Sequence, residues 1–117
     1  MKAEHRYAVA FIAASIGRGK VFTHVHDHDA AADIPMGGIA RADKVDVFDG
    51  RTRARIAGKP PGLYHYGSEE HIELKVEDNA LSGFDYLSRQ HFAGRLVGDA
   101  VQIYDHGTGR YHNFHVS

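Results

Sequence analysis

Ten histidines stand among the 117 residues, and three of them alternate in KVFTHVHDHD: His24, His26 and His28. On an extended strand alternate residues share one face, so the three imidazoles would lie side by side as nitrogen donors. That arrangement suits Zn, Cu or Ni, with Asp27 or Asp29 placed to orient the rings. His24, His26 and His28 are therefore the candidate metal ligands. If the sheet closes on itself, His5 or His106 is the fourth imidazole expected to approach. Plain surface histidines are the competing reading. A second group, His65, His71 and Glu73, would form an acid-base pair only if a turn brings two strands together suitably. Arg51, Arg53 and Arg55, with Lys44 and Lys59 nearby, make a basic patch. Its commoner meaning is a solvated face paired with Asp43 and Asp46.

Other chemistries lack support. There is no cysteine, which excludes disulfides, thiolate metal sites and thiol nucleophiles. No P-loop, G-x-S-x-G, H-E-x-x-H or dinucleotide fingerprint occurs, and Gly17-Arg18-Gly19-Lys20 lacks the spacing of a phosphate loop. A His/Asp/Ser hydrolytic set finds no supporting spacing, so no residue is assigned a catalytic role. Formal net charge is −1, which favours neither nucleic acid nor an anionic membrane as partner.

The elements that would carry these groups are repeats. In VQIYDHGTGRYHNFHVS, residues 101–117, a period-two alternation runs into a polar turn and resumes, the mark of a β-hairpin with one buried face. Anchored on the residue just before the turn, the unit recurs at Asp27, Asp49, His65, Asp85 and Asp105. Two before the anchor stand Val25, Val47, Leu63, Gly83 and Ile103; seven after it, Ile34, Ile56, Ile72, Phe92 and His112. Five copies at about twenty residues mark a repeat architecture. The aspartates are read as turn caps, accepting bonds from turn N–H groups and from the Ser or Thr three residues on. Strand parity turns the aliphatic columns inward. Tyr64, Tyr66, Phe84, Tyr86, Tyr104 and Tyr111 then face outward and are the candidate partner-binding residues.

Ahead of the repeats, residues 4–17 read as a short Ala-rich helix ended by Gly17-Arg18-Gly19. It is too brief to span a bilayer, which needs about 20 residues, and its expected role is to dock on or enter the β structure. The cytoplasm is the expected compartment. Lys2 and Arg6 before an apolar run ending in Ala13-Ala14-Ser15 leave export as the alternative. Pro35 and Gly37-Gly38 should break any long strand in 30–44. Lys59-Pro60-Pro61-Gly62 links two copies, and Gly83 and Gly94 mark bulges or close backbone approaches.

The copies SGFDYLSRQHFAG (82–94) and IYDHGTGRYHNFHV (103–116) resemble small bacterial proteins of unassigned function built from Tyr- and Asp-bearing hairpins behind a short helix. VFDGRTRARIAG (47–58) is similar, more loosely, to the hairpins of four-fold β-flower proteins. The resemblance implies architecture and no catalytic residue. The expectation is a single all-β domain over 1–117, with five hairpins in 20–117 closing as a barrel, β-flower or β-roll. Its function is expected to be that of a non-enzymatic binding module. The partner would be a protein, a glycan or a second copy, met through the aromatic and His-rich face. The alternative is a Zn- or Cu-binding protein using His24, His26 and His28.

Overall fold

A computed structural model describes residues 1–117. One helix, α1 (Ala3–Arg18), precedes ten strands: β1 (His24–Asp27), β2 (Ala32–Arg41), β3 (Lys44–Asp49), β4 (Arg55–Lys59), β5 (Gly62–His65), β6 (Glu70–Glu77), β7 (Ala80–Asp85), β8 (Gln90–Val97), β9 (Ala100–Asp105) and β10 (Arg110–Val116). Each strand runs antiparallel to its neighbours, and β1 pairs with β10 through Val25↔Val116, His26↔His115 and Asp27↔Phe114. The sheet is thus a closed barrel, which leaves no unpaired strand edge. Of the three closures the repeat allowed, this is the barrel.

Every anchor begins a hairpin turn, and all five turns share one backbone device. The residue four after the anchor is left-handed in each copy: Ala31, Arg53, Glu69, Arg89 and Gly109 have φ of 50, 62, 56, 57 and 70°. Only Gly109 takes that conformation without a Cβ penalty. The anchor side chain holds the others in place. Asp27 Oδ1 accepts from the N–H of Asp29 at 3.0 Å, Asp49 Oδ1 from Arg51 at 2.8 Å, Asp85 Oδ1 from Leu87 at 3.2 Å and Asp105 Oδ1 from Gly107 at 2.8 Å. At the odd copy the ring nitrogen substitutes, His65 Nδ1 accepting from the Ser68 N–H at 3.2 Å. The expected hydroxyl partner appears only at Ser88, which donates to Asp85 Oδ2 at 2.8 Å. Thr108 bonds the Asp105 backbone carbonyl instead, and the Thr52 hydroxyl accepts from the Ala54 N–H. At the opposite end, the two-residue turns Ala42-Asp43, Pro60-Pro61, Asp78-Asn79 and Gly98-Asp99 join one hairpin to the next.

The lumen is filled by α1. A barrel of about eight strands has room inside only for side chains; ten strands admit a thin helix, and Ala8, Ala10, Ala13 and Ala14 keep this one thin. The helix touches β1, β2, β3, β6, β8, β9 and β10. Tyr7 through Ser15 are all buried, as a helix surrounded on every side requires. Gly19 ends it in the left-handed conformation (φ 64°), its N–H bonding Ser15 O at 2.9 Å. The inward strand residues, among them Val25, Ile56, Ile72, Phe92 and Ile103, pack on it with at most 1% exposure. Burying each such side chain contributes about 1.5–3 kcal/mol.

Two local expectations are corrected, and the alternative left open at Gly83 and Gly94 is decided. Pro35 and Gly37-Gly38 do not break the chain: β2 is the longest strand, pairing with β1 up to Pro35 and with β3 from Met36. The proline falls where the partner changes, so its missing N–H interrupts neither ladder. Gly83 and Gly94 sit in unbroken register, so they mark close approach rather than bulges. A Cβ there would stand 1.8 Å from Glu73 O or 1.9 Å from Gln102 O. Arg51 and Arg53 lie in the turn, and only Arg55 is on a strand, paired with Asp46 at 2.9 Å. No three-arginine face exists.

Candidate functional site

The copies present chemistry on two surfaces, because the anchor column faces inward and its neighbours face outward. Inside, Asp27, Asp49, His65, Asp85 and Asp105 form a ring at one end of the barrel, none more than 6% exposed. The N-terminal turn of α1 stands within that ring, and its residues reach the anchors one by one. The Met1 ammonium lies 3.0 Å and Arg6 Nη1 3.3 Å from Asp105 Oδ2. Tyr7 donates to Asp27 Oδ2 at 2.7 Å, and His5 Nδ1 lies 2.9 Å from Asp85 Oδ1. Carboxylates around a helix N-terminus also meet the positive end of its dipole. Burial alone would raise the Asp85 carboxyl, but bonds from His5 and Ser88 outweigh it and hold the group below the usual carboxylate range. The N-terminal ammonium and the Gly107 N–H do the same for Asp105. Burial followed by the Asp27 bond raises Tyr7.

One inner contact has the connectivity of a hydrolase relay. With His5 Nδ1–H donating to Asp85, its Nε2 accepts from the Ser68 hydroxyl at 2.6 Å. These residues come from α1, the β5–β6 turn and β7, so no sequence spacing announces them. None of the five principal surface grooves touches Ser68, and His5 is fully buried. The row ties the helix to the wall, joining α1 to the β5–β6 turn and to β7. His65 stacks 4.6 Å from His5. Its Nδ1 is committed to Ser68, so Nε2 carries the proton and is buried without a partner. Burial, then the neighbouring His5, pushes the His65 pKa down.

Outside, the columns one before, one after and six after the anchor converge, because the residues one before and six after face each other across each hairpin. In the last three copies they build aromatic trios: Tyr64, Tyr66 and His71; Phe84, Tyr86 and His91; Tyr104, His106 and Tyr111. Ring centroids within the trios stand 4.8–5.0 Å apart, edge to face. His71 meets Tyr86 at 6.4 Å, joining two trios, and Arg55 caps the row 5.3 Å over Tyr66. All six predicted partner-binding residues belong to this belt. Tyr66, Tyr86 and Tyr111 are the most open, at 50, 45 and 54% exposure. One groove of about 360 Å³ runs beside His71, Tyr86 and Glu73; another of about 520 Å³ runs beside Tyr104, Tyr111, Arg95 and Gln102.

In the first copy the same columns carry His26, His28 and Asp33. Adding His24 from β1 and His115 from β10 gives four imidazoles on the outer face of the seam. His26 stacks on His115 at 4.2 Å and lies 6.0 Å from His24. His28 Nε2 stands 2.8 Å from His115 Nδ1. His24 Nδ1 bonds Thr23 Oγ1; His26 bonds Asp33 through Nδ1 and Ser117 Oγ through Nε2. Asp33 is held below the usual carboxylate range by the His26 bond. Loss of hydration, then His26 and His28, lowers His115.

No family model, curated protein or solved structure matches this chain. The site is therefore read from its own geometry. Of the predicted ligands, His24 and His26 share the outer face of β1, whereas His28 falls in the turn beyond it, its ring against His115. The fourth imidazole is His115, not His5, which is buried in the ring, nor His106, which belongs to the last trio. His115 was missed because only the closing register places it opposite His26. His65, His71 and Glu73 do not come together as an acid-base pair: His65 faces the lumen, while His71 lies against Tyr64 outside. No helix is long and apolar enough to cross a membrane.

Proposed function

We propose that this chain is a binding module whose recognition face is the aromatic belt on β5–β10, and that its ligand is an extended saccharide. The observation that carries this reading is the tandem repetition of exposed trios, with one groove between the first two and another beside the last. Nothing in the fold requires a complete trio, since the first two copies build the same hairpins with Asp33 in one ring column, or with Gly50 and Arg55 in two. Rings offer stacking area with a polar edge. Each groove also adds hydrogen-bonding groups beside its rings, Glu73 with His71 in one and Arg95 with Gln102 in the other. Apolar sugar faces on rings and hydroxyls on side chains are what such grooves can satisfy together. Successive trios suit a ligand that itself repeats.

The test is calorimetric titration against a panel of linear oligosaccharides, alongside sedimentation of the free chain. Binding that strengthens with oligosaccharide length and falls at least about tenfold in Tyr66→Ala or Tyr86→Ala, with the circular dichroism spectrum unchanged, supports the reading. Absence of binding up to millimolar sugar, with a dimer that Tyr86→Ala dissociates, would make the belt a self-association face and overturn it.

A further inference from the structure

The barrel's closing seam brings together donors that neither terminal strand could assemble alone. His24 and His26 line one face of β1 by strand parity, and His28 follows in the turn just after it. The register places His115 opposite His26, so its ring sits among the other three. Of all nitrogen pairs here, His28 Nε2 and His115 Nδ1 are the closest, at 2.8 Å. Two nitrogens bound at about 2.0 Å to one ion stand about 2.8 Å apart on adjacent corners of a square plane, and about 3.3 Å apart on a tetrahedron.

We infer that His28 and His115 chelate one Cu(II) ion across the seam, with His26 as the neighbouring third donor. The pair now shares one proton in a hydrogen bond. On binding, the donating ring keeps that proton by taking it up on its other nitrogen, so both rings stay neutral and both facing nitrogens give their lone pairs to the metal. His26 is already oriented by Asp33 at Nδ1, the carboxylate–imidazole arrangement that fixes a ligand ring. Its Nε2 is held only by the Ser117 hydroxyl, a partner that an ion readily displaces. No three donors converge on one point as the side chains stand, so water completes the coordination until His26 swings in. An open site of imidazole donors completed by water favours Cu(II) over the closed tetrahedral shell of structural Zn, as does the general order of divalent affinities. The ion would link the β1–β2 turn to β10, beside a ladder that spans only three residue pairs.

The experiment uses the full chain without an affinity tag, titrated with Cu(II) and with Zn(II) against a chromophoric chelator and followed by electron paramagnetic resonance. The expected result is one Cu(II) per chain, with nitrogen hyperfine structure from at least two imidazoles, and Zn(II) binding about tenfold weaker or less. His115→Ala and His28→Ala should each weaken Cu(II) binding by about 10–100-fold, while His91→Ala leaves it unchanged. His28 begins an exposed turn, so His28→Ala remains informative if His115→Ala fails to fold. Several millimolar ions spread over the chain, Cu(II) binding by both variants as tight as by the unaltered chain, or tighter Zn(II) would overturn the assignment. Its failure leaves the saccharide reading untouched, because none of the seam histidines belongs to an aromatic trio.

Discussion

The two ends of the barrel hold the same helix by different means. At the anchor end, Met1, His5, Arg6 and Tyr7 each meet a buried ring residue through a directed polar contact. At the far end, Ile16 and Gly17 lie against apolar wall residues, the Ser15 hydroxyl is buried without a partner, and one exposed bond joins Arg18 to Asn79. A groove of about 450 Å³ opens there beside Ser15, Ile16 and Val21. Hydrophobic burial is non-directional, so an Ala-rich rod could slide or turn in an aliphatic tube at little cost. The ring removes that freedom. The helix is thus buried along its length but positioned by the polar contacts of residues 1–7.

The sharpest way to break this contrast is Asp85→Ala. It leaves the His5 Nδ1–H without its carboxylate in a site where both side chains are fully buried. Removing one partner of a buried pair costs about 3–5 kcal/mol. Urea unfolding should show that loss with an unchanged slope. A loss below about 1 kcal/mol would mean that apolar packing alone seats the helix. Tyr7→Phe is the next in size, since it strands one oxygen of Asp27 while keeping the ring that packs edge-on to Phe114 at 5.9 Å. The expected cost is about 1–3 kcal/mol, with faster amide exchange concentrated in the first turns of α1.

The same division explains what the sequence could disclose. Hairpin positions, strand parity and the inward aliphatic columns were legible because each depends on residues close together along the chain, as with Ile72 inside and Tyr64 outside. Closure as a barrel was one of three outcomes, since the β1–β10 ladder joins residues some ninety positions apart. The aspartates were legible as turn caps, from the local Asx geometry. Their second bond, to the helix, was not, because no local pattern ties Tyr7 to Asp27 or His5 to Asp85. His115 was hidden for the same reason. Only the closing register distinguishes it from the other histidines of the last copy.

Acid should act on the anchor end in two stages. Unfolded histidine titrates near 6.5 and aspartate near 3.9. His65 and His112 are both depressed, first by burial, so below about 6.5 the unfolded chain takes up protons that the folded chain resists. Stability is therefore full above that pH and falls through the window beneath it. Asp85 and Asp105 are depressed as well; their contribution persists to about pH 3.9 and is lost below. His65→Asn retains an acceptor for the Ser68 N–H and removes one titrating group, although His5, Glu4 and Asp49 still surround the position. The upper step should shrink, by no more than about 1.4 kcal/mol per pH unit, while the lower step stays. An upper step of unaltered size would show that His65 is not what acid reaches first.

Arg18→Ala probes the other end and should do least. Its Nη2 donates to Asn79 Oδ1 at 2.6 Å on the surface. A cation in the last turn also complements the helix dipole by about 0.3–1 kcal/mol at low salt. Both terms are screened, so the expected loss is about 0.5 kcal/mol in dilute buffer and about nothing in molar salt. Double substitution with Asp85→Ala separates two mechanisms. If the ring alone sets the helix position, the two costs add, as they do for distant sites without shared partners. If the far end takes over once the ring is broken, the Arg18→Ala cost grows in the Asp85→Ala background. That coupling would show the helix to be held as a rod clamped at both ends.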